Sequence, residues 1–107
     1  MEITTRENDS IVVFLVSGEI TGVNIIRLSK TVESILGSHY KKVILDLTDV
    51  NSVDSCGLGG IIYANALLNK EEKTMVLAAP EGIVKQLLLN CALDKILAII
   101  DPGEYSL

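Results

Sequence analysis

Lys41-Lys42-Val43-Ile44-Leu45-Asp46-Leu47, followed by Val50-Asn51-Ser52-Val53-Asp54-Ser55-Cys56-Gly57-Leu58-Gly59, is the stretch from which the fold is read. Val43 to Leu47 is a short apolar run suited to a buried strand. Downstream, Leu58, Ile61, Ile62 and Leu68 fall near helical spacing and predict a helix from about Gly57 to Asn69. The local order is strand, loop, serine, helix. Ser55 stands near a predicted helix start, where main-chain N–H groups lack intrahelical partners and the helix dipole favours an anion such as a phosphate. A phosphorylatable hydroxyl beside a carboxylate is physically plausible there.

Outward from this stretch the chain alternates. Glu2 to Glu7 reads as an edge strand, Asn8-Asp9-Ser10 as a turn, and the β-branched run Ile11 to Val16 as a central strand, so the two strands form a hairpin. Ile25, Leu28, Val32, Ile35 and Leu36 share one helical face, with Gly37 placed to end the helix in a left-handed conformation. Thr74 to Ala79 is a further strand stopped by Pro80, and Val84, Leu87, Leu88 and Cys91 mark a third amphipathic helix. Ile96 to Ile100 is the last strand, closed by Asp101-Pro102-Gly103. Strands alternating with helices imply right-handed parallel crossovers. The expectation is one α/β domain over residues 1–107, with a mixed, mostly parallel sheet of four to five strands and three to four helices. Sites in such sheets lie at the carboxyl ends of strands, where Ser55 falls and where Gly18-Glu19-Ile20-Thr21-Gly22 could join it.

Composition narrows the function. A chain of 107 residues with 49% hydrophobic content buries one core. Mean hydropathy is +0.43, yet the longest uncharged apolar stretch, Ser55 to Asn69, is too short and too glycine-rich to span a bilayer. No secretory signal opens the chain, so a cytoplasmic location is expected. A net charge of -5 with scattered cations argues against nucleic acid. Cys56 and Cys91 have no second pair with which to build a metal site and read as small buried or half-buried side chains. No cofactor motif is present.

Asp46-Leu47-Thr48-Asp49-Val50 and Val53-Asp54-Ser55-Cys56-Gly57-Leu58-Gly59 together closely resemble the signature of STAS domains, and of bacterial anti-sigma factor antagonists in particular, in which Asp-Ser-Ser-Gly-Leu-Gly is common. Gly18-Glu19-Ile20 is similar to that family's first loop, and Leu87 through Ile96 to its third helix and the approach to the last strand. The resemblance implies the STAS fold and a partner switch. The unphosphorylated protein binds an anti-sigma factor, which is itself a serine kinase; phosphorylation of the serine after the aspartate, here Ser55, breaks that complex, and a serine phosphatase resets it. Asp54, Ser55, Cys56 and Gly57, with Thr21 and Gly22, are the implied partner-binding residues. Cys56 replaces the second serine, so it offers no alternative acceptor. Thr21 replaces an aspartate common in the family, which weakens the implied kinase step; its hydroxyl could instead cap the first helix.

Blander readings exist for each residue. Ser55 could be an N-cap; Asp54 could order the loop or cap the helix rather than meet a kinase; Gly57, Gly59 and Gly60 could serve packing or a partner's approach. Asp46 and Asp49 read as loop and strand-end residues, and His39 as a solvated side chain. Hydrolase chemistry is disfavoured because Val53 breaks Gly-x-Ser-x-Gly and His39 precedes the serine. No lysine follows Gly57-Leu58-Gly59-Gly60 as a phosphate-binding loop requires. A phospho-aspartate receiver would show an acidic pair after the first central strand, where Ser17-Gly18-Glu19 stands. The expectation is a binding protein without catalytic activity. A STAS scaffold or regulatory subunit of a signalling or transport assembly, never phosphorylated, is the alternative, and a weak homodimer stays open.

Overall fold

The computed structural model describes residues 1–107. Strand β1 (Glu2–Glu7) turns into β2 (Ile11–Ile20), followed by α1 (Ile25–Glu33), β3 (Lys42–Val53), α2 (Ser55–Lys70), β4 (Thr74–Ala78), α3 (Ile83–Asn90) and β5 (Ala98–Ile100). Short 3-10 turns at Leu93–Lys95 and Pro102–Glu104 flank β5. The sheet order is β1-β2-β3-β4-β5, antiparallel only between β1 and β2. The expected mixed sheet with an N-terminal hairpin is what forms, with three α-helices. Asn8 makes the hairpin turn: its Oδ1 accepts the N–H groups of Ser10 and Ile11.

The helices cover one face of the sheet. Val43, Leu45 and Leu47 of β3 join Leu28, Val32, Ile61, Leu68 and Leu88 in the main core, while Ile44 points to the opposite face with Val13, Val76 and Ala78. Burial on both faces explains the unbroken apolar run Val43-Ile44-Leu45 that follows Lys42 in β3. The second face carries no helix; Tyr105, near the chain end, packs against it.

Both inner strands run further than the sequence suggests. β2 continues through Ser17 to Ile20 and β3 through Val50 to Val53, so the expected loop before Ser55 shrinks to Asp54. Their pairing shifts register between Leu15 and Ser17 and between Gly18 and Glu19. β4 stops opposite Asp46, so the extension is a two-stranded ribbon beyond the sheet, where Thr48, Asp49 and Asn51 remain exposed. Polar residues there disguise a strand as a loop. Helix α1 ends at Glu33, earlier than read, because i to i+3 bonds from Ile35 to Val32 and from Leu36 to Glu33 tighten the chain. Gly37 does adopt φ +81°, but in the turn beyond, where its N–H donates to Glu71. Ile96 and Leu97 belong to the turn ahead of β5 rather than to the strand, since both donate their N–H groups to the Leu93 carbonyl. Cys56 and Cys91 are both exposed, against the expectation of burial. His39 is exposed, as read.

Asp46 is no strand-end residue. It is buried within β3, where Oδ1 accepts the N–H and hydroxyl of Thr48 and Oδ2 accepts the Tyr105 hydroxyl. Burial, then the bond to Asp46, pushes the Tyr105 phenol up to about 12. A raised phenol contributes stability that is complete below its unfolded value near pH ~10 and is lost as pH rises through the folded value. Tyr105→Phe, which leaves a buried acceptor unpaired, is expected to cost about 1–3 kcal/mol in urea unfolding and to remove the highest-pH tyrosinate transition in an absorbance titration.

Candidate functional site at the carboxyl end of the sheet

β2 and β3 finish side by side, and the Asp54 N–H donates to the Ile20 carbonyl at 3.1 Å. Asp54 leaves the strand in an extended conformation and becomes the N-cap of α2, with Oδ1 accepting the Gly57 N–H at 2.7 Å. Its Oδ2 accepts the Gly22 N–H at 3.1 Å. One carboxylate thus joins the start of α2 to the loop before α1. Hydrogen bonds from Gly57 and then Gly22 hold its pKa below the usual carboxylate range.

The capping residue is Asp54, not Ser55. Ser55 is the first residue of α2 and exposed, so its hydroxyl is left out of the cap and stands at the helix N-terminus facing solvent. Thr21 does not cap α1 with its hydroxyl either. The N-cap is Asn24, without a side-chain cap bond, and the Thr21 carbonyl accepts the N–H groups of Asn24 and Ile25 at 3.0 and 2.8 Å. The structure brings Asp54, Ser55, Cys56 and Gly57 together with Thr21 and Gly22: a Cβ on Gly22 would stand 3.2 Å from the Cys56 Cβ. Asp49 lies apart, exposed on the β2–β3 ribbon.

The glycines divide by what surrounds them. A Cβ on Gly57 would overlap the Ile20 carbonyl oxygen, and one on Gly60 would overlap the Ile25 side chain. These two let α2 seat against the end of β2 and against the start of α1. A Cβ on Gly59 would meet nothing within 4 Å. That glycine weakens the helix by about 0.8–1 kcal/mol relative to alanine with no packing reason inside the chain. Ser55, Gly59 and Tyr63 are spaced four apart and share one helical face. Beside them Ile62 is 38% exposed and Tyr63 56%, and on the neighbouring α1 and its approach Ile26 is 63% and Val23 91% exposed. No acidic residue interrupts α2. Sequence reading missed this apolar surface because exposed and buried apolar residues alternate around α2 and look alike as letters; the absence of any charge between Ser55 and Asn69 was the available signal.

A family model described as STAS domain matches residues 2–104. Among solved structures, an anti-sigma factor antagonist from Mycobacterium paratuberculosis is 22% identical, with 92% of this chain and 84% of that one covered at a TM-score of 0.82. A Thermotoga maritima protein assigned as an anti-sigma factor antagonist is 28% identical, with 92% and 86% covered at 0.83. The Bacillus cell fate determinant SpoIIAA in its phosphorylated form is 13% identical, with 96% and 95% covered at 0.72, a likeness of fold alone.

Three outcomes follow for the site. Because the Asp54 pKa is depressed, its charge contributes stability above the ordinary carboxylate value near pH ~4, lost as pH falls through the folded value. Asp54→Asn is expected to lower the urea midpoint at pH 7, with the gap to wild type closing on acidification. In thermal unfolding Gly57→Ala is expected to cost about 1–3 kcal/mol through overlap with main chain, whereas Gly59→Ala is expected to stabilise by about 0.8–1 kcal/mol.

Proposed function

This chain belongs to the STAS domain family, and on that footing we propose that it is an anti-sigma factor antagonist working by phosphorylation-dependent partner switching, with Ser55 as acceptor. The observation that carries the reading is the exposed Ser55 hydroxyl at the first position of α2, beside a carboxylate already committed to ordering the site. Unphosphorylated, the protein binds an anti-sigma factor through Asp54, Ser55, Cys56, Gly57, Thr21 and Gly22, and releases the sigma factor in a cytoplasmic setting. The partner is the kinase and a separate phosphatase restores the hydroxyl; the antagonist itself acts by binding.

The physics favours an effect on the partner over one on the fold. Phosphorylation adds about -1.5 to -2 charges and three strong acceptor oxygens. The N-terminus of α2 favours that anion by roughly 0.3–1 kcal/mol, opposed by the neighbouring Asp54 carboxylate. At a contact surface the same dianion must give up hydration, and a net penalty of about 3 kcal/mol would weaken the complex on the order of a hundredfold. With Asp54 held by two main-chain N–H groups, it orders the loop and helix, and orientation of the hydroxyl falls to the helix geometry. The kinase reaches Ser55 without the extra carboxylate that Thr21 replaces, which leads to slower phosphorylation than an aspartate there would allow.

Incubation with the cognate anti-sigma factor and ATP, followed by peptide mass spectrometry, is expected to place one phosphate on Ser55. Ser55→Ala is expected to keep partner binding and Ser55→Asp to lose it. An unmodified Ser55, with binding indifferent to both substitutions, would instead favour the constitutive scaffold.

A further inference from the structure

We propose that β1 is a self-association edge, pairing antiparallel with β1 of a second copy of this chain so that one sheet runs through both. β1 is the outer strand, six residues long, and every residue but Ile3 is exposed. The Asn8 N–H donates to Ile11, and bonded pairs alternate along an antiparallel ladder. Arg6 opposite Val13, Thr4 opposite Leu15 and Glu2 opposite Ser17 are therefore the bonded pairs within the chain. The N–H and C=O groups of Ile3, Thr5 and Glu7 point away from β2, open to another strand.

The side chains select what that strand is. Ile3 packs on the helix-side core, so Ile3, Thr5 and Glu7 lie on that face, and Glu2, Thr4 and Arg6 on the other. Two copies related by a two-fold axis perpendicular to the sheet keep their faces aligned, and the outward groups of Ile3 and Thr5 meet those of Thr5 and Ile3 in the second copy. In that register Glu2 faces Arg6 twice and Thr4 faces Thr4. Neither Glu2 nor Arg6 has an ion-pair partner within the chain; the salt bridges formed both involve Lys85. Sliding by one repeat in either direction sets Arg6 or Glu2 against Thr4 and loses both pairs. Parallel pairing in register sets Glu2 on Glu2 and Arg6 on Arg6. The charges that guard this edge against other partners match it to itself. β5, the opposite edge, has only three residues and no such pattern. β1 contributes no residue to the Ser55 site, so this inference stands apart from the partner-switch reading.

Sedimentation equilibrium on the full chain, loaded from about 10 μM to about 1 mM to cover weak association, tests it. Wild type is expected to rise from monomer towards dimer mass. Arg6→Glu alone and Glu2→Arg alone are each expected to dimerise at least tenfold more weakly, because like charges then face each other. Their equimolar mixture is expected to recover dimer, since each strand of the mixed pair carries the other's complement. Thr5→Pro removes an outward N–H that the β1–β2 ladder does not use and is expected to abolish dimer independently of charge, with circular dichroism confirming the fold. A wild type that stays monomeric throughout, an Arg6→Glu chain that dimerises like wild type, or a mixture that stays monomeric would overturn the proposal.

Discussion

The Asp54 carboxylate accepts one N–H from inside α2 and one from the loop before α1, and the arrangement of the site depends on that pair of hydrogen bonds. Without it, the ends of β2 and β3 would still run together through main-chain pairing, but nothing polar would tie Gly22 to the start of α2. The constraint is local in sequence on one side and long-range on the other. It sets the position of Gly22 against Cys56 and leaves Ser55 as the first helical residue with its hydroxyl outward. Gly57 and Gly60 complete the constraint sterically by letting main chain and Ile25 approach where a side chain would intrude.

Rigidity on the inside of α2 contrasts with its outer face. The inner residues, Ile61, Ala64 and Leu68, are locked into the core, whereas Ile62 and Tyr63 are left in water about two turns along the helix from Ser55. Gly59 sits between Ser55 and Tyr63 without a packing partner. A helix that gives up stability at a solvent-facing glycine, beside exposed apolar groups, has the character of a surface on which another protein's backbone can approach closely. In the proposed switch, a dianion on Ser55 would enter this apolar surface, and its desolvation would fall on the complex rather than on the fold.

Much of this was legible in the letters. Periodicity gave the type and order of the helices and strands, though not their ends, because Val43 to Leu47 and Val12 to Phe14 are buried on the sheet and Leu28, Val32 and Leu68 are buried on helices. The Asp-Ser pair drew attention to the carboxyl end of the sheet, and of the three glycines read for close approach, Gly57 and Gly60 have it within the chain and Gly59 does not. What could not be read were features that depend on distant partners. Asp46 looked like a strand-end residue because its hydrogen bond to Tyr105 comes from the far end of the chain. Thr48 to Ser52 looked like a loop because polar residues are tolerated where the ribbon projects beyond β4. Cys56 looked apolar enough to bury, yet it lies exposed in the first turn of α2.

The central claim is that modification of Ser55 is read at the partner surface and not by the fold. Calorimetric titration of the anti-sigma factor with enzymatically phosphorylated and unphosphorylated protein, paired with thermal melts of both forms, tests it most directly. The account predicts closely matched melting temperatures and binding weakened on the order of a hundredfold by the phosphate. Equal affinity of the two forms, or a phosphorylated form that loses binding only because it unfolds, would contradict it.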